Sequence, residues 1–88
     1  MLPLNYAVLN VVYESDEPKC AKDVMKALQS QYGNRRPFKE TYVLEVLMSA
    51  AQNGLFDEAG DRFDEDGDFC TYFKCNEEGK KVIKRYIY

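Results

Sequence analysis

The sequence has no histidine among its 88 residues. The side chain most often used as a general base near neutral pH is therefore missing, and so is the commonest nitrogen ligand of zinc sites. Cysteine is scarce, with only Cys20, Cys70 and Cys75. An odd number at irregular spacing does not make a disulfide framework, and it fits a reducing compartment, here the cytoplasm. Cys70 and Cys75 would fall on opposite faces of an extended strand, which removes them as a zinc-binding pair. No glycine-rich phosphate loop or nucleophile elbow occurs. These absences predict a protein that is not an enzyme and holds no metal or cofactor. Long apolar runs are lacking too: the stretch from Tyr6 to Tyr13 is short and broken by Asn10, so no membrane span is expected. The first residues carry neither the basic region nor the small-residue cleavage site of a secretory signal.

What is present is ordinary for a globular domain, with 45% hydrophobic and 31% charged residues. The length predicts one domain over residues 1–88. A net charge of −3 counts against a simple nucleic-acid binder.

Hydrophobic spacing predicts the elements. Leu4, Ala7, Val8, Val11 and Val12 share one helical face over Leu4–Glu14, although the β-branched residues leave a strand as the alternative. Ser15-Asp16-Glu17-Pro18 reads as a turn. A second helix over Cys20–Tyr32 carries the stripe Ala21, Val24, Met25, Leu28 and Tyr32, and Gly33 ends it as a C-terminal glycine. A third runs from about Phe38 to Asn53 and stops at Gly54. Residues 55–75 read as a hairpin, with Gly60 at a bulge and Asp66-Gly67 in the turn. In its return arm Phe69, Thr71, Phe73 and Cys75 point one way, and Cys70, Tyr72 and Lys74 the other. Asn76 caps a last helix with Glu77 and Glu78 in its first turn. The expected core is Val8, Val12, Val24, Leu28, Val43, Leu47, Leu55, Phe73, Val82 and Ile83. Tyr6, Tyr13, Tyr42, Tyr72, Tyr86 and Tyr88 are candidates for a surface patch, since one small core cannot hold them all.

Cys20-Ala21-Lys22-Asp23-Val24 with Ala27-Leu28, then Val43, Leu47 and Ala50 before Gly54-Leu55, then Phe73-Lys74-Cys75-Asn76-Glu77-Glu78-Gly79 are three local patterns that in this order resemble the winged-helix superfamily of bacterial regulators. The first is similar to the start of that family's second helix, with Cys where Ser or Thr usually caps. The second is similar to the end of its recognition helix. The third is similar to its exit from the wing, with Cys for Leu and Asn for Thr. The resemblance implies an α+β fold: a winged helix-turn-helix with a three-helix core, a two-stranded β-hairpin wing and a C-terminal helix. A short extra strand at Pro18–Cys20 would pair with the wing.

It also implies double-stranded DNA as a partner, with the third helix in the major groove. The residues answer in two voices. Lys19, Lys22, Lys26, Arg35, Arg36 and Lys39 cluster around the second helix and the following connection, where they would contact phosphates or simply solubilise a polar face. The recognition-helix face would be Glu40, Thr41, Leu44, Glu45 and Met48, a poor set for base readout. Between Asp57 and Asp68 lie seven acids and one base, a local charge of −6 that repels phosphate. An EF-hand alignment on Gly67 puts Arg62 and Phe73 at ligand positions, so this loop reads as a solvated turn.

Two functions follow. The first is a DNA-binding-type transcriptional regulator. The alternative is an adaptor that binds a protein through the third helix and the acidic wing and leaves DNA alone. Tyr86 and Ile87 lie beyond the reach of the domain core and would form a homodimer interface, or the chain end folds back onto the first helix. Cys20 at a helix start beside Lys19 and Lys22 is a candidate redox thiol, and Cys75 a buried one.

Overall fold

A computed structural model describes all residues, Met1–Tyr88. The order is α1 (Leu4–Glu14), α2 (Ala21–Tyr32), α3 (Glu40–Gln52), β1 (Phe56–Phe63), β2 (Phe69–Cys75) and α4 (Glu77–Ile87). The periodicity in Leu4–Glu14 wins over its β-branched content, because the helical spacing puts Ala7, Val8 and Val12 together in the core. Cys20 is the N-cap of α2, and its backbone N–H donates to Asp23 Oδ2 at 3.1 Å. Gly33 closes α2 with right-handed angles (φ −58°), not with the left-handed turn expected of a C-terminal glycine. The α2–α3 connection includes a cis Arg36–Pro37 peptide.

α3 ends in a Schellman motif. Gly54 takes φ +80°, Leu55 N donates to Ala50 O at 2.9 Å, and Gly54 N donates to Ala51 O at 3.1 Å. That turn launches β1, which pairs antiparallel with β2 from Phe56↔Cys75 to Phe63↔Phe69. The register slips between Glu58 and Asp61, where Gly60 has φ +96°, so the bulge lies where the glycine suggested. The expected extra strand is present as one bridge: Lys19 and Phe73 exchange two backbone bonds of 2.8 Å. It ties the start of α2 to the wing.

The core lies between the three N-terminal helices, the base of the hairpin and Ile83 of α4. Eight of the ten expected core residues are buried; Leu55 and Val82 are only half-buried. Both line an open groove between α1 and α4, where no further element covers them. Two strand positions also differ from expectation. Phe69 alternates in phase with Phe73 but is 64% exposed, its ring turned to Phe63 across the hairpin and outside the core cluster. Tyr72, placed by its phase on the surface, is buried. The Arg62 guanidinium lies 3.8 Å above its ring, and the Lys19 bridge brings the α2 start alongside.

Candidate nucleic-acid interface

The second and third helices carry the basic cluster. Lys26 is exposed one turn after Lys22, and Arg35, Arg36 and Lys39 are exposed in the connection to α3. With Pro37 and Phe38 these last three line an open depression of about 480 Å³. Arg35 is steadied by Tyr32, its guanidinium 5.8 Å from the ring centroid. Lys39 is the N-cap of α3 and supplies no side-chain bond, so the first-turn N–H groups of α3 have no side-chain acceptor. An anion in that depression meets three cations and the positive end of a helix. Glu40, in the same first turn, opposes it.

Lys19 is half-buried at the sheet edge, its backbone engaged by Phe73. Lys22 is not free. Its Nζ lies 2.8 Å from Asp64 Oδ2, 3.0 Å from Asp66 Oδ2 and 2.7 Å from Asp68 Oδ2. The hydrogen bonds it donates to Asp64, Asp68 and Asp66 hold the amine protonated well above the ordinary lysine range. The Lys22 ammonium, and then the Asp68 backbone N–H, keep the Asp64 carboxyl well below the carboxylate range. Asp64 Oδ1 accepts from Asp66 N and Asp68 N, both at 2.9 Å. The acidic loop expected as a solvated turn is thus an Asx turn docked on α2. The alternation of Asp at 64, 66 and 68 was its only sequence signal.

The face of α3 expected to point outward does so. Glu40, Thr41, Glu45 and Met48 are exposed and Leu44 is half-buried. A recess of about 120 Å³ between α3 and the wing brings Glu40 and Leu44 to Phe69 and Thr71. Phe69 meets Phe63 edge to face across the hairpin at 5.3 Å, and both rings are mostly in solvent.

At the chain end Tyr86 is exposed and Ile87 half-buried. With Tyr6, Leu9, Leu55, Val82 and Ile83 they line a wholly apolar groove of about 340 Å³. Tyr88 folds back onto α1: its ring lies 5.4 Å from that of Tyr13, and its hydroxyl bonds Asn10 Oδ1. Tyr13 and Tyr42 are half-buried, which leaves Tyr6, Tyr86 and Tyr88 as the exposed members of the expected tyrosine patch.

The thiols are shielded. Cys20 is 1% exposed, which denies it the access a redox sensor needs. Cys75 is buried, as its strand phase predicts. Burial, and then the neighbouring Cys20, push the Cys70 thiol up to about 12. No helix is long and apolar enough to cross a membrane.

A three-helix core, a paired hairpin bridged to the α2 start, and a capped C-terminal helix define the winged-helix fold. Solved structures agree. PadR of Bacillus subtilis, crystallised with operator DNA, superposes with a TM-score of 0.73 at 13% identity, over 96% of this chain and 47% of that one. A PadR-like transcriptional regulator from Bacillus cereus gives 0.68 at 13% identity, covering 96% and 77%. A PadR-like transcription factor from Bacteroides fragilis gives 0.63 at 17% identity, covering 93% and 74%. This chain therefore spans about half the length of the PadR chain. No protein-family model matches the sequence, and no curated protein matches it.

Proposed function

We propose that this chain is a non-enzymatic winged-helix transcriptional regulator of the cytoplasm that contacts duplex DNA. Lys19, Lys26, Arg35, Arg36 and Lys39 supply phosphate contacts, with Lys22 a sixth once it is released. The observation that carries this reading is the basic depression at the α2–α3 connection, opening on the uncapped start of α3. The structural likeness to a regulator solved with operator DNA supports it. The α3 face meets the groove with Glu40, Thr41, Leu44, Glu45 and Met48, among which only Glu matches a base edge, as an acceptor from cytosine. Binding is then carried by phosphates and discriminates little between sequences. A second copy packed against the groove at Tyr86 and Ile87 would pair two such surfaces across a two-fold axis. Backbone amide shifts on titration with a short duplex test the reading. Shifts concentrated in residues 19–26 and 35–45 are expected; shifts confined to α4 and the outer wing would contradict it.

One observation favours the adaptor reading. The Phe63–Phe69 pair stands exposed at the end of the hairpin, and the recess beside Phe69 is shared with Glu40 and Leu44 of α3. Apolar rings rimmed by acids fit a cationic, amphipathic protein segment better than a phosphate backbone. In the same titration a duplex would then move no amide, and a basic amphipathic peptide would shift Leu44, Phe63 and Phe69.

A further inference from the structure

Lys22 sits in the middle of the proposed phosphate-contact set, yet it is the one member already held by anions. Two features of its partners set this apart from an incidental surface ion pair. The first is stoichiometry. One ammonium is met by three carboxylates at 2.7–3.0 Å, which leaves a surplus of two negative charges one helical turn from Lys26. The second is the division of labour among the acids. Asp64 alone holds the turn, through Oδ1, and its side chain is only 12% exposed. The carboxylates of Asp66 and Asp68 are 60% and 66% exposed, and Lys22 is the only side chain they bond. The turn does not need them, and removing charged surface groups of this kind ordinarily changes stability little. What they do is present anionic oxygens to a lysine at the distances a phosphate group would adopt.

We propose that the wing tip is an intramolecular phosphate surrogate: it occupies Lys22 and restrains DNA binding, so that the closed chain engages a duplex weakly without Lys22, and full engagement, with Lys22 among the contacts, requires the tip to leave α2. The inference rests on the DNA-binding reading and adds its regulation. In the closed arrangement Lys22 contributes nothing to affinity, and the surplus charge repels the backbone approaching Lys19 and Lys26. With the tip displaced, the same lysine becomes a phosphate contact. The wing is thereby a brake on the site, which gives its local charge of −6 a role that a groove-binding wing does not.

The test compares duplex affinity at low salt for the full chain and three sets of variants. D66N/D68N removes the surplus acids. E58Q/E65Q removes the same net charge from exposed wing positions that do not touch Lys22. K22Q is combined with each. The proposal expects D66N/D68N to bind about fivefold or more tighter than E58Q/E65Q, with a log–log salt slope steeper by about one unit as Lys22 joins the contacts. It expects K22Q to abolish that difference. The single variant D68N carries the same comparison, against E65Q, should the double variant melt early. Equal gains from the two double variants, or a gain that survives K22Q, would overturn the brake while binding by the wild type leaves the DNA reading standing. Absence of duplex binding by every variant would overturn both.

Discussion

A first side-chain carbon at residue 79 would fall 2.1 Å from the carbonyl oxygen of Leu55 and 2.9 Å from the sulfur of Cys75. Gly79 is thus the point where α4 rests on the corner between α3 and β1. Asn76 fixes the same corner from three sides. Its Oδ1 accepts from Gly79 N at 2.8 Å, its Nδ2 donates to Gly54 O at 2.9 Å, and its backbone N–H donates to Leu55 O at 3.1 Å. Gly79→Ala must push backbone against backbone, and is expected to cost about 1–3 kcal/mol or more. Asn76→Ala should cost about 0.5–2 kcal/mol, with Asn76→Ser recovering much of it through the retained cap. Urea denaturation checks both; a Gly79→Ala midpoint equal to wild type would mean that α4 does not pack here.

Neighbouring residues on α3 should behave in opposite ways. Leu47 is fully buried and Met48 is 44% exposed. Leu47→Ala should destabilise by about 2–5 kcal/mol, a large share of the stability of so small a domain. Met48→Ala should stay within about 0.5 kcal/mol of wild type. Thermal melts that reverse this order would place the other face of α3 in the core.

Stability should be greatest between about pH 5 and pH 8 and should fall on both sides. Asp64 has a depressed pKa in the fold, because the Lys22 ammonium lies against it. Its contribution is complete above the ordinary carboxylate value of about 4 and is lost as acid protonates it through the lowered value. Burial raises Cys70, to about 12, as well as Cys75 and Tyr72. These groups stay neutral in the fold while their unfolded counterparts ionise, so stability declines as pH rises beyond the free thiol value of about 8.5. Melting temperatures from pH 2 to pH 11 test both limbs. Asp64→Asn should flatten the acid limb, and an identical acid limb in that variant would assign it elsewhere.

Much of this architecture is legible in one sequence. The 3.6-residue spacing places Val43 and Leu47 in the core and turns Glu40, Glu45 and Met48 outward, and Gly54 and Gly60 fall at a helix stop and a strand bulge. What the sequence hides is which surface covers which. Alternation assigns Tyr72 to the face opposite Phe73, but nothing local says that α2 and Arg62 close over it. Alternation also puts Phe69 in phase with the core without saying that its ring is left in solvent beside Phe63. Lys22 and its acids are 42 to 46 residues apart in the chain. Charge counting gives their signs and numbers, and only the fold brings them together.

Binding of a labelled duplex across a range of salt concentrations, for wild type and for the double variant Arg35→Ala with Arg36→Ala, tests the central claim most directly. Phosphate-borne contact predicts weak, steeply salt-dependent binding that is nearly indifferent to sequence. It also predicts a log–log slope about two units shallower in the double variant. Absence of wild-type binding at low salt, an unchanged slope in the variant, or tight binding that survives high salt would contradict it.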